Sequence, residues 1–338
     1  LSVAPAILEL NRIALVRHAE EAAMKTILVP LDGSAVAEQV MTAVRLLAPI
    51  FTARVHLLAV ITDEQRQHLI ASFAAAPLGV ADRYETDWHW ERRAQTQLAD
   101  AAEAYLTGQA QALRTTGLTV TFEVTSGVPA ERIVDIAASE PQALIAMTTH
   151  GYSGLRRWTL GSVADKVAQA TRTPMLLVRV MEQPPAGAQS LQRILVPLDG
   201  SALAEQALPL AIELAIRAQA ELLLLHAVWP SGASAPGLLP FDRLPPMIDF
   251  PAQGHAQALQ QLHEVIERWH AHELAMLPMV TSGEPAQEII DMAAREHADL
   301  IVMATHGYSG VRRWALGSVA DKVLHSTTTP LLLVRAQS

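Results

Sequence analysis

Ile27-Leu-Val-Pro-Leu-Asp-Gly-Ser34 is a short β-rich run closed by a turn signal, and it returns unchanged as Ile194 to Ser201. Behind the first copy, Ala35 to Ala48 places Val36, Val40, Val44 and Leu47 at helical spacing on one side. A near-continuous apolar run, Arg54 to Ile61, follows, with its counterpart at Glu221 to Val228. Such runs suit parallel strands covered on both faces. The reading is strand, turn, helix, strand, made twice. Pro30 and Pro197 would deprive a central strand of a donor, so each is expected where the ladder ends and the chain turns.

Two further stretches repeat in the same order. Thr125-Ser-Gly-Val-Pro-Ala130 returns as Thr281-Ser-Gly-Glu-Pro-Ala286, and the glycine-marked segment His150 to Val167 returns almost unchanged as His306 to Val323. The opening run is displaced by 167 positions and the other two by 156, so 11 extra residues lie between Ser34 and Thr125 in the first copy. A period of about 160 is far longer than that of solenoid or propeller repeats, so each copy is expected to be a whole domain with its own core. The expected layout is an extension over 1–23, a first domain over 24–180, a linker over 181–192 and a second domain over 193–338. Residues 1–23 read either as a dispensable extension or as a helix with an apolar face of Ile7, Leu8, Leu10, Ile13, Ala14 and Val16.

The remaining elements are expected as follows. A polar helix spans about Glu85 to Thr115; its counterpart, about Gln253 to Glu273, follows a proline-rich loop from Pro230 to Pro251. Val120 to Val124 is a third strand. Pro129 and Pro285 open helices over Ala130–Ser139 and Ala286–Glu296, since proline fits a first helical turn. Strand four is Ala143–Thr148 or Leu300–Ala304. The glycine loop enters a fourth helix at Ser162 or Ser318, and the last strand is Met175–Arg179 or Leu331–Arg335. This βαβαβαβαβ alternation implies a parallel sheet with right-handed crossovers and helices on both faces.

Half of the residues are apolar and 17% are charged, sufficient for two well-buried cores. The formal net charge of −9 offers no electrostatic reason to bind nucleic acid or an anionic membrane. No run approaches the roughly 18 apolar residues of a membrane span, and Leu1 to Leu15 lacks the basic start of a secretory signal, so a cytoplasmic location is expected. The absence of cysteine excludes disulfides, zinc-thiolate sites and thiol catalysis.

In a doubly wound sheet a ligand sits beyond the carboxyl ends of the strands, where the winding reverses. Asp32-Gly-Ser34 lies just past strand one and Thr148-Thr-His-Gly151 just past strand four, with Gly161-Ser162 opening the next helix. Glycines permit close backbone approach, and free N–H groups at a helix start attract phosphate oxygens. The geometry suits a nucleotide.

The ordered set of Val-Pro-Leu-Asp-Gly-Ser, Thr-His-Gly-x9-Gly-Ser and Thr-Pro-φ-Leu-Leu-Val-Arg, present twice, resembles the universal stress protein family over about Met24–Arg179 and Arg193–Arg335. The resemblance implies two tandem Rossmann-like α/β domains, each a five-stranded parallel sheet in the order 3-2-1-4-5. It also implies ATP, with or without Mg2+, at a Gly-x2-Gly-x9-Gly-Ser/Thr motif. Carried over, Asp32 and Asp199 accept from ribose hydroxyls. Val60 and Ala227 line the adenine slot, and Pro30, Met147 and Thr148, with Pro197, Met303 and Ala304, are further nucleotide-binding positions. Gly151, Gly161, Ser162 and Val163, with Gly307, Gly317, Ser318 and Val319, cradle the phosphates. The first motif glycine is Thr148 in one copy and Ala304 in the other, which puts a Cβ where the family brings backbone against the nucleotide. The resemblance further implies pairing of the last strands as an intramolecular pseudo-dimer, and a homodimer of chains.

Each of these residues has a simpler reading. Asp-Gly-Ser is a turn and helix-start signal without any ribose, and Ser162 and Ser318 can cap their helices. His150 and His306 read as loop residues, having no companion carboxylate at a fixed offset in both copies. Arg156-Arg157 and Arg312-Arg313 read equally as phosphate ligands or a solvated pair, and Trp158 and Trp314 as packing under the loop. His263 and His270 share a helix face, close to His272, but copy one has no equivalent, so no metal site is expected. The expected function is a cytoplasmic ATP-binding stress-response switch without catalytic activity, the alternative being a nucleotide-free interaction module of the same fold. Val60 and Thr148 against Ala227 and Ala304 predict tighter nucleotide binding in the second copy.

Overall fold

A computed structural model of the chain describes residues 24–75, 87–149, 161–180, 190–229, 250–269, 274–305 and 317–336. The chain divides into two compact units, Met24–Gly187 and Ala188–Ser338.

The first unit runs β1 (Thr26–Pro30), α1 (Val40–Phe51), β2 (Arg54–Ile61), α2 (Asp63–Ala75), α3 (Asp87–Arg114), β3 (Val120–Ser126), α4 (Pro129–Ser139), β4 (Ala143–Thr148), α5 (Ser162–Ala170) and β5 (Met175–Val178). Its strands pair in the order β3-β2-β1-β4-β5, every pair parallel. The second unit runs β6 (Arg193–Pro197), α6 (Leu208–Ala218), β7 (Glu221–Val228), α7 (Phe250–Arg268), β8 (Met276–Ser282), α8 (Pro285–Arg295), β9 (Leu300–Thr305), α9 (Ser318–Ser326) and β10 (Leu331–Arg335). Its order is β8-β7-β6-β9-β10, again all parallel. Both units are therefore the doubly wound α/β fold that the alternation predicts, with the winding reversed between the first and fourth strands.

The central strands are buried on both faces. Ile27, Leu28 and Val29 in β1, and Ile194, Leu195 and Val196 in β6, have no exposed surface, and every residue of β4 is buried. Pro30 and Pro197 are the last residues of their strands, so neither interrupts the ladder.

Two elements differ most from expectation. The first helix does not begin at Ala35: a single 3-10 turn, Ala37–Gln39, precedes it, and the helix proper starts at Val40. The Ser34 hydroxyl accepts from the Ala37 N–H at 3.1 Å and tightens this entry. The helix also runs past Ala48 through Pro49 to Phe51, ending where Thr52 turns left-handed at φ 55°. A further helix, α2, occupies the region where the first copy is longer. Its start is a capping box: the Gln65 N–H donates to Thr62 Oγ1 at 3.1 Å, and Gln65 Oε1 accepts from the Thr62 N–H at 2.9 Å. No helix among the described residues is long and apolar enough to cross a membrane.

Candidate functional site

Both units turn sharply just beyond their first strands. The Ser34 N–H and hydroxyl donate to Asp32 Oδ1 at 3.0 and 2.6 Å, and the Ser201 N–H donates to Asp199 Oδ1 at 2.9 Å. Gly33 and Gly200, at φ 81° and 79°, occupy the left-handed region that an L side chain resists. The turn-forming reading of Asp-Gly-Ser is thus realised, and it engages the Oδ1 oxygens. Both aspartates are exposed at the carboxyl edge of the sheet.

In the second unit these residues enclose a cavity of about 250 Å³. Pro197 and Asp199 enter it from the end of β6, and Leu225 and Ala227 from β7, two residues apart and therefore on one sheet face. Met303 and Ala304 close it from β9, and Gly317, Ser318 and Val319 from the start of α9. Every described residue expected at the site in this copy lines this space. Pro285 and Ile289, one helical turn apart on α8, line it as well and were missed from the sequence. The repeated Ser-Gly-x-Pro motif was the available signal, because it places α8 beside the end of β7. Among the described residues, Asp199 is the one charged side chain in an otherwise apolar and small-residue lining. Its volume lies just below the roughly 300 Å³ at which small-molecule sites begin.

The first unit carries Pro30, Asp32, Val60, Met147, Thr148, Gly161, Ser162 and Val163 on the same elements. Pro30 pairs with Leu58, which brings Asp32 alongside Val60 beyond the strand ends. The Gly161 N–H donates to the Thr149 carbonyl at 2.5 Å, tying the start of α5 to the end of β4.

Ser162 and Ser318 do not cap their helices. Gly161 and Gly317 hold the N-cap positions, no side-chain cap is made, and both serines are exposed at the first helical residue. The helix starts therefore keep donors that an anion can meet. Gly151 and Gly307 lie outside the described residues, as do His150, His306, Arg156, Arg157, Arg312, Arg313, Trp158 and Trp314. The same holds for residues 1–23, His270, His272 and most of the expected linker. His263 is exposed on α7, and no cluster of metal-binding side chains occurs among the described residues.

His226 sits between the two cavity-lining residues of β7, so its ring takes the opposite sheet face. Burial pushes its pKa below the ordinary value, the nearby Asp199 carboxylate opposing this, and Nδ1 is buried without a hydrogen-bond partner. It is neutral at pH 7. A second concavity, of about 610 Å³, opens at the amino ends of the first unit's strands between Lys25, Arg54 and Glu140. There the Arg54 and Glu140 charges neutralise each other.

A sequence profile of the Universal stress protein family matches the chain twice, over residues 24–179 and 190–335. The chain belongs to the universal stress protein family. It is 28% identical over 221 residues to a universal stress protein of Mycolicibacterium smegmatis, covering 65% of this chain and 70% of the relative. It is 31% identical over 145 residues to universal stress protein YxiE of Bacillus subtilis, covering 42% of this chain and 98% of the relative. Among solved structures, a universal stress protein from Archaeoglobus fulgidus matches with a TM-score of 0.63, covering 92% of this chain and 98% of that one at 21% identity. This last likeness is one of fold. Within the family, this tandem member departs from the Gly-x2-Gly-x9-Gly-Ser motif at Thr148 and Ala304. Ala304 lines the cavity of the second unit, so this departure bears directly on the room available to a ligand.

Proposed function

We propose that this universal stress protein binds an adenine nucleotide at the carboxyl ends of the first and fourth strands, and that occupancy acts as a conformational switch in a cytoplasmic stress response. The observation that supports this is the cavity of the second unit, where a carboxylate, an apolar slot and an uncapped helix start meet in one space. An apolar slot between Leu225, Ala227 and Met303 suits a base. Asp199 Oδ1 is engaged in its turn, while Oδ2 has no recorded partner among the described residues and is placed to accept from a ribose hydroxyl. The N–H groups at Gly317 and Ser318 suit phosphate oxygens.

The switch is a linkage effect. A nucleotide that binds the folded second unit stabilises it by about 2.7 kcal/mol at a hundredfold excess over its dissociation constant. No covalent step is needed for this.

Isothermal titration calorimetry on nucleotide-stripped protein, with ATP, AMP and GTP in magnesium buffer, tests this. Micromolar, adenine-selective binding is expected. No heat at millimolar ATP would replace this reading with a nucleotide-free interaction module.

A further inference from the structure

Building on the nucleotide reading, we propose that the second unit alone holds the nucleotide, the corresponding site of the first unit being closed by its own residues. Three independent differences between the copies point the same way.

The first is volume. Ala227 and Ala304 both line the cavity of the second unit. Their counterparts are Val60 and Thr148, which add two methyl groups at one wall, and a methyl with a hydroxyl at the other. Thr148 is almost fully buried at the end of β4. One lining position runs the other way, Leu203 against Val36, by a single carbon on the segment that follows the turn.

The second difference is the backbone donor at the helix start. Gly161 has φ −60° and ψ 143°, a conformation open to any residue, and its N–H is already committed to the Thr149 carbonyl. Gly317 has φ 89° and ψ 141°, and among the described residues its N–H meets no backbone acceptor. The carbonyl equivalent to that of Thr149, on Thr305, accepts instead from the Ala336 N–H at 3.0 Å. Among the described residues, the N–H that opens the helix is taken by a backbone carbonyl in the first unit and by none in the second, where it can meet a phosphate.

The third is the aspartate. Asp32 Oδ1 receives two bonds from a nearly buried Ser34, whereas Asp199 Oδ1 receives one, from a half-exposed Ser201. Asp32 is therefore held in its turn by one more hydrogen bond than Asp199.

The test uses the full chain, labelled at its methionine methyl carbons and stripped of nucleotide. Met147 and Met303 are equivalent positions of the two sites, so each reports on its own. On titration with ATP the Met303 methyl resonance is expected to move while that of Met147 stays, and calorimetry is expected to count one site per chain. Asp199→Ala should abolish binding. In the double variant Val60→Ala with Thr148→Ala, the count should rise from one to two and the Met147 resonance should begin to move. Two equivalent sites in the unaltered chain, or movement of Met147 alone, would overturn the asymmetry while leaving the nucleotide reading in place. Absence of any binding to the unaltered chain would remove both.

Discussion

The Tyr105 hydroxyl on α3 donates to Glu38 Oε1 over 2.8 Å, reaching across to the 3-10 turn that follows Asp32. Gln109 Nε2, one helical turn on, donates to the same oxygen at 2.8 Å. The second unit anchors the equivalent turn differently: Arg268 on α7 donates to Glu205 Oε1 at 2.7 Å. Both copies keep the carboxylate and tether this turn through it, with neutral donors in the first and a cation in the second.

Tyr105→Phe should cost the first unit about 1 kcal/mol at pH 7, the net worth of one hydrogen bond. Burial first, and then Glu38, raise the Tyr105 pKa above its ordinary value of 10.0. The folded state thus keeps a proton that the unfolded chain loses, so stability falls as pH rises above 10. Urea unfolding at pH 7 and pH 10.5 checks this: the variant starts lower and declines less steeply.

Glu213 is 1% exposed on α6, at the position that Leu46 holds in the first unit. Arg217 Nε stands 2.9 Å from Oε1, yet neither carboxylate oxygen receives a well-directed hydrogen bond. Burial therefore outweighs the guanidinium and raises the pKa from 4.5 to about 7. The folded state binds the proton more tightly than the unfolded chain, so this glutamate carries no ionisation cost below pH 4.5 and progressively destabilises as pH rises to 7. The full cost is about 3 kcal/mol. Glu213→Leu should raise the urea midpoint at pH 8 and lose most of that advantage at pH 4.5. An equal gain at both pH values would refute the titration argument.

Glu284 caps α8 by accepting from the Gln287 N–H at 2.9 Å, and also receives Lys322 Nζ of α9 at 3.0 Å. The first unit has Val128 at this position, half exposed and without a side-chain cap, although Lys166 is present opposite. Val128→Glu should therefore stabilise the first unit by roughly 0.5–1 kcal/mol. Glu284→Ala should destabilise the second by a similar amount. Glu284 has a lowered pKa, the Gln287 N–H being the main cause, so this contribution is present above pH 4.5 and disappears as pH falls through the folded value. Thermal melts at pH 7 and pH 3.5 read both effects.

Gly200→Ala should cost about 1–2 kcal/mol, because φ 79° is unfavourable for an L residue. The new Cβ would stand 3.2 Å from Gln261 Oε1, a flexible end that can yield, so the backbone conformation dominates. Relaxation of that turn displaces Asp199, and ATP affinity should fall together with stability. An unchanged affinity would mean that Asp199 does not depend on its turn.

The α2 helix shows why some elements escaped a reading by periodicity. Its residues carry no apolar stripe, so hydrophobic spacing is silent, although Thr62-x-x-Gln65 was a legible start signal. The capping alternative for Ser162 and Ser318 is not realised, for another reason. A cap depends on which residue first leaves helical geometry, and here that residue is the preceding glycine.

Most strand and helix positions, the duplication and the doubly wound class were determined by the sequence alone. They rest on local facts: apolar spacing, proline and glycine at element ends, and motifs repeated in fixed order. Tertiary structure alone decided that residues near 199, 227, 289, 303 and 318 share one cavity, because only strand order and register bring five separate elements to one edge. It also decided that Gly161 and Gly317, in identical local sequences, adopt different backbones. Identical segments differ when their surroundings do, and the carbonyl that takes the Gly161 N–H has another partner in the second unit.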